Sequence, residues 1–206
     1  MDVDEVMRIA PVIPVIVIDR VADAVPLAQA LVAGGLRALE VTLRTAAGLE
    51  AIAAMSGVEG AVVGAGTVLD PAQFRAAVAA GARFVVSPGY AEAIGEEARA
   101  SDIPWLPGTA TATEIMRART AGFRRLKFFP AEMAGGVPAL KGFASVFGDV
   151  AFCPTGGVSP TNASQYLGLP NVRCVGGSWV TPADALANGD WARIRGLAEQ
   201  ASLLRA

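Results

Sequence analysis

The run Leu126-Lys127-Phe128-Phe129-Pro130-Ala131-Glu132 holds a lysine inside an otherwise apolar stretch. Lysine is almost never fully buried unless it is paired, so Lys127 has either a buried carboxylate partner or a chemical task. The task open to a desolvated lysine is amine chemistry, which needs the neutral form. A free lysine near pKa 10.4 is neutral in only about one molecule in 2,500 at pH 7, and apolar surroundings or a cationic neighbour must lower that value. Phe128 and Phe129 supply the first, and Arg44 is a candidate for the second. A carboxylate such as Glu40 close to the amine pushes the other way. The chain contains no histidine, which removes Ser–His and Cys–His nucleophiles and every His-ligated zinc or iron site. Acid–base chemistry then rests on carboxylates, lysine or tyrosine.

Glu40 and Arg44 lie in ALEVTLRT, residues 38–45, which alternates cleanly. On a strand, Leu39, Val41 and Leu43 share one face and Glu40, Thr42 and Arg44 the other. By the same rule Lys127 and Phe129 face one way, and Leu126 and Phe128 the other. Glu40 and Arg44 read equally well as a structural ion pair or as part of a site, and a Lys127–Glu40 salt bridge is the structural alternative to catalysis.

The elements that carry these residues repeat. Short β-branched runs centre near Ile16, Glu40, Val63, Val85, Leu106, Lys127, Phe152 and Cys174, 21 to 25 residues apart. Helical stretches fill the gaps: Asp23–Val32, Ala47–Met55, Pro71–Ala80 capped by Asp70, Ala91–Ala100, Thr113–Ala121, Pro138–Phe147, Thr161–Leu167 and Trp191–Leu204. Glu114 falls in a helix's first turn. Eight strand-helix units on a regular beat predict an α/β protein, a single (β/α)₈ TIM barrel domain over residues 1–206, with Asp2–Ala10 as an extra helix closing its bottom. An open doubly wound sheet is the alternative. GAGTVL at 64–69 lacks the third glycine of a dinucleotide fingerprint, which argues against a Rossmann site.

In a barrel, the loops leaving the strand ends form the site. Those loops carry GAGT with Thr67, SPG with Ser87 and Pro88, PGTATATE, PTGGVSP at 154–160 and GGSW at 176–179. Paired glycines followed by a hydroxyl residue leave backbone amides free for phosphate oxygens, and the last two loops stand where such barrels bind phosphate. Each glycine pair alone reads as a tight turn.

Composition narrows the class. The chain is 53% hydrophobic and 17% charged with net charge −2, which offers no electrostatic case for nucleic acid or an anionic membrane. The acidic N-terminus MDVDEV and the short, proline-interrupted run Pro11–Ile18 fit neither a secretory signal nor a membrane span, so a cytoplasmic location is expected. Cys153 and Cys174 have no metal-ligand spacing and read as buried free thiols.

The stretches PVIPVIVI, LVAGGLRALEVTLRT, VVGAGTVLDPAQ, FVVSPG, LKFFPAE, FCPTGGVSP and VGGSWV together resemble the 2-keto-3-deoxy-6-phosphogluconate (KDPG) and 4-hydroxy-2-oxoglutarate (KHG) aldolases. The resemblance runs from the first strand to the eighth. It implies that Lys127 forms a Schiff base with pyruvate and that Glu40 is the general acid–base residue, working through a water. It implies that Arg44 and Thr67 hold the pyruvate carboxylate, that Pro88 and Phe129 wall the pocket with Thr155 close by, and that Gly156, Gly157, Gly177 and Ser178 bind phosphate. It further implies a homotrimer acting reversibly on a small phosphorylated keto acid of the Entner–Doudoroff pathway, with no metal and no cofactor. Two departures bear on phosphate selection. Ile16–Ile18 stand where some relatives carry an arginine, leaving Arg20 as the nearest cation, and Thr109 occupies a place often aliphatic. The alternatives are a lyase acting mainly on 4-hydroxy-2-oxoglutarate, a phosphate-binding barrel isomerase in which Lys127 only pairs with Glu40, and a catalytically silent ligand-binding barrel.

Overall fold

The computed structural model describes residues 1–204. Its strands are β1 (Val12–Ile16), β2 (Ala38–Thr42), β3 (Val62–Gly66), β4 (Val85–Val86), β5 (Trp105–Leu106), β6 (Gly108–Thr109), β7 (Arg125–Phe128), β8 (Ala151–Pro154) and β9 (Val175–Gly177). Around them lie α1 (Val3–Arg8), α2 (Ala24–Ala33), α3 (Gly48–Ser56), α4 (Pro71–Ala79), α5 (Glu92–Ser101), α6 (Ala112–Thr120), α7 (Gly136–Val146), α8 (Ala163–Leu167), α9 (Ala183–Asn188) and α10 (Trp191–Ser202). All strand pairing is parallel, in the orders β5-β4-β3-β2-β1-β9 and β6-β7-β8. The chain is an α/β protein built on a curled parallel sheet.

The eight apolar runs become nine strand segments because the fifth is cut at Pro107. Proline has no N–H for a ladder, and the chain changes neighbour there: β5 pairs with β4, and β6 with β7. The Pro107 carbonyl still accepts from the Lys127 amide at 2.8 Å.

Strand alternation divides the core. Leu39, Val41, Val63, Ala65, Val85, Leu126, Phe128 and Phe152 belong to a large apolar cluster shared with the helices. Within it Phe128 meets Phe143 and Phe152 edge-on, at ring separations of 6.0 and 6.3 Å. The opposite faces supply Ile13, Ala38, Val62, Phe84, Val86, Leu106, Cys153 and Cys174, which pack with Val6 and Met7 of α1 into a second cluster. Each fully buried side chain of this size contributes roughly 1.5–3 kcal/mol, so Val6 and Met7 tie α1 firmly to the sheet interior.

The helix ends follow local chemistry. Asp70 accepts from the Gln73 amide at the start of α4, with Pro71 at the first helical position. The first turn of α6 is a capping box: Thr111 accepts from the Glu114 amide, and the Glu114 carboxylate accepts from the amides of Ala110 (2.7 Å) and Thr111 (2.9 Å). Burial raises the Glu114 carboxyl, but these amides and the Thr111 hydroxyl outweigh it and hold it below the usual carboxylate range. Stability from this contact is therefore present above the ordinary glutamate pKa of about 4.3 and is lost as pH falls through the lower folded value. At neutral pH, Thr111→Ala should cost about 1 kcal/mol, a fall of about 2–4 °C in Tm by thermal unfolding.

Candidate active site

Lys127 on β7 and Glu40 on β2 lie 87 residues apart in sequence and meet across the sheet interior, Nζ donating to Oε1 at 3.0 Å. Each side chain is only 4% exposed. Their position follows from register. Glu40 stands opposite Val15 on one side and Gly64 on the other, and Lys127 stands between Gly108 and Cys153. Buried on the sheet interior, the two charges answer each other. The Phe129 ring lies 5.2 Å from Nζ, within cation–π range.

Glycines on the neighbouring strands allow two close approaches here. A side chain on Gly66 would collide with Glu40 Oε1, so Glu40 reaches its position only because β3 ends in a residue without Cβ. A side chain on Gly108 would strike the Pro88 carbonyl, which brings Pro88 beside the strand position opposite Lys127. Thr67, directly after Gly66, has φ +58, an uncommon conformation for a β-branched residue, held at a cost of order 1–3 kcal/mol. Its hydroxyl accepts from Arg44 Nε at 3.2 Å.

On the other side, Thr155 is buried and bridges in parallel to Gly176, which joins the loop after β8 to β9 at their bases. Its amide donates to the Phe128 carbonyl at 2.9 Å, and its carbonyl accepts from the Ala131 amide at 2.8 Å. Gly156 and Gly157 follow with φ +96 and +82. Gly177 is buried under the Trp179 ring, and Ser178 is exposed on the wall of a cavity of about 630 Å³ that also includes Val15, Arg20, Asp23 and Thr181. Val15 on that wall is the β1 partner of Glu40. Arg20 shares this wall but is engaged by Asp23 in a two-bond fork of 2.8 and 3.0 Å. Thr109 is buried with Oγ1 3.5 Å from the Lys127 carbonyl oxygen.

Lys127 thus contacts Glu40 and Phe129, and Arg44 contacts Thr67. Thr67 follows the Gly66 that packs on Glu40, Pro88 lies against Gly108 of the neighbouring strand, and Thr155, Gly156, Gly157, Gly177 and Ser178 lie on the segments after β8 and at the end of β9. Sequence reasoning assigned no part to Glu132 and Tyr166. The hydroxyl of Tyr166, a buried ring on α8, donates to Glu132 Oε1 beneath the Gly156–Gly157 loop. Burial first, and then the Glu132 carboxylate, push the Tyr166 hydroxyl well above its ordinary value. The only signal for this pair was Glu132's place in the LKFFPAE run. The two cysteines are free and buried, and the Cys174 thiol is raised by its hydrogen bond to Cys153 and by burial. Among the described residues no three His, Cys, Asp or Glu side chains are placed to hold a metal ion, and no helix is long and apolar enough to cross a membrane.

The fold and site define a curled parallel α/β sheet with a buried lysine–carboxylate pair beside two glycine loops. The sequence model of the family described as KDPG and KHG aldolase matches residues 3–197, and the chain belongs to that family. The 2-dehydro-3-deoxy-phosphogluconate aldolase of Zymomonas mobilis subsp. mobilis is 54% identical over 204 residues, covering 99% of this chain and 97% of its own. The crystal structure of the 2-keto-3-deoxy-6-phosphogluconate aldolase of Zymomonas mobilis ZM4 with 3-phosphoglycerate superimposes with TM-score 0.95 at 55% identity, covering 100% and 97% of the two chains. A KDPG aldolase structure from Legionella pneumophila, with pyruvate captured at low pH as a covalent carbinolamine, superimposes with TM-score 0.94 at 47% identity over 97% of each chain.

Proposed function

We propose that this chain is a Schiff-base lyase that cleaves 2-keto-3-deoxy-6-phosphogluconate reversibly to pyruvate and glyceraldehyde 3-phosphate. The observation that carries the reading is the buried Lys127–Glu40 contact at 3.0 Å in a member of this aldolase family. Proton transfer from Nζ to Oε1 frees the amine to attack the C2 ketone, giving a carbinolamine. Glu40 then returns its proton, directly or through a water, to the departing hydroxyl, and loss of water leaves a cationic imine. The Glu40 carboxylate takes the C4 hydroxyl proton while the C3–C4 bond breaks. Its electron pair passes into the imine, which becomes a neutral enamine as the aldehyde leaves. Protonation at C3 by Glu40 and addition of water return pyruvate and the free lysine.

In this reading Arg44, with the strained Thr67, holds the pyruvate carboxylate. Phe129 and Pro88 wall the reacting carbons, with Thr155 beside them, and the amides of Gly156, Gly157 and Gly177 with the Ser178 hydroxyl take the phosphate. The cavity beside Ser178 and Arg20 gives the far end of the substrate its space. The pyruvate carbinolamine of the Legionella relative and the 3-phosphoglycerate complex of the Zymomonas relative support the two halves of this assignment.

The strands are read as one closed (β/α)₈ barrel domain. The Thr155–Gly176 and Phe152–Val172 bridges link β8 toward β9, and β5 runs on through Pro107 into β6. In the same reading α1 caps the lower end, three copies assemble as the family resemblance implies, and the enzyme works in the cytoplasm. The second substrate in the family's description, 4-hydroxy-2-oxoglutarate, shares the imine steps but has no phosphate. Measuring kcat/KM on both tests the reading: a preference of at least about tenfold for the phosphorylated acid is expected, and equal or reversed values would make 4-hydroxy-2-oxoglutarate the main substrate.

A further inference from the structure

The segment that follows the reactive lysine and the glycine loop after β8 are fastened to each other at one residue. The Glu132 amide donates to the Gly156 carbonyl at 3.1 Å. Its side-chain stem lies so close against Gly157 that any side chain there would strike it. Its carboxylate takes the hydroxyl of Tyr166, whose ring is fully buried. From the far side, Asn162 Nδ2 donates to the Gly157 carbonyl at 3.1 Å. Gly136, at the start of α7, approaches both partners, and a Cβ there would lie 3.2 Å from the Tyr166 hydroxyl and 3.5 Å from Glu132 Oε1. Glu132 is otherwise exposed, so the buried hydroxyl is what fixes this carboxylate and, through its stem, the loop above it.

We propose that Glu132 and Tyr166 are a positioning pair that sets the Gly156–Gly157 loop at a fixed distance from Lys127, and so sets the preference for a substrate with phosphate at the end remote from the ketone. The inference rests on reading that loop as the phosphate site. Two successive left-handed glycines hold no shape of their own, so a loop built from them needs an outside clamp to keep its amides converged on one anion.

The test compares Tyr166→Phe, Glu132→Ala and Glu132→Gln with the wild-type enzyme, on the phosphorylated acid and on 4-hydroxy-2-oxoglutarate. Pyruvate trapping by borohydride and inhibition by inorganic phosphate are followed alongside. Removing one hydrogen bond to a charged group should raise KM for the phosphorylated substrate by about 10- to 100-fold in Tyr166→Phe and Glu132→Ala. kcat/KM on 4-hydroxy-2-oxoglutarate and pyruvate trapping should stay within about twofold of wild type. Glu132→Gln, which keeps an oxygen for the tyrosine to donate to, should recover most of the loss. If Tyr166→Phe fails to fold, the exposed Glu132 pair of variants carries the comparison alone. Equal losses on both substrates, or no loss in either Tyr166→Phe or Glu132→Ala, would overturn the proposal. If phosphate fails to compete in the wild-type enzyme, the phosphate-loop reading falls and this pair's role with it. Competition present in wild type and unchanged in every variant overturns the pair alone.

Discussion

Lys127→Met should lower turnover of the keto acid by about 10⁴-fold or more, because without the amine no imine forms and the C3–C4 electron pair has nowhere to go. Methionine is close to lysine in length and matches the apolar wall of Phe129, so the cavity term is small. The larger structural effect falls on Glu40, which is left buried without its cation. Breaking one side of a buried pair costs about 3–5 kcal/mol when the remaining group stays charged. The Lys127→Met enzyme should therefore melt below wild type, and adding Glu40→Gln should restore part of the lost stability. A single Lys127→Met variant that keeps wild-type turnover would remove the imine from the mechanism.

Glu40→Gln separates imine formation from proton transfer. The amide keeps the shape of the carboxylate and an oxygen toward Nζ, so pyruvate should still be trapped on Lys127, although more slowly. Glutamine cannot accept the C4 hydroxyl proton or return a proton to C3, and cleavage should slow by about 10²–10⁴-fold. Stopped-flow or quenched kinetics with the phosphorylated acid would show adduct accumulating while product release lags. Normal turnover in this variant would leave Glu40 as a structural partner of Lys127 only.

The central pair was legible because strand alternation carries its own geometry. Glu40 and Lys127 interrupt apolar runs at positions that face inward, and a lysine and a glutamate facing the same interior have little else to meet. Helix positions were legible to within a residue or two where caps are explicit, as at Asp70 and Gly34. Other features were not, for local reasons. The helix expected from Pro138 begins at Gly136, because proline is tolerated in a first turn whose amides have no partners. The six residues of α9, Ala183–Asn188, are too few to show a helical period and did not register. Pro107 marks the break locally, but the change of neighbour there, from β4 to β7, is a long-range pairing. The same holds inside the site. The left-handed Thr67 bonds Arg44, 23 residues away, and the Tyr166–Glu132 contact joins residues 34 apart with no shared periodicity.

A Lys127–Glu40 contact is equally the geometry of a structural ion pair and of a resting Schiff-base site, so covalent chemistry decides between them. The direct measurement is borohydride reduction of the wild-type protein in the presence of pyruvate, followed by peptide mass mapping. One reduced pyruvate adduct per chain, on the peptide containing Lys127 and absent from Lys127→Met, is the predicted result. No adduct, or an adduct on Lys141 instead, would contradict the account.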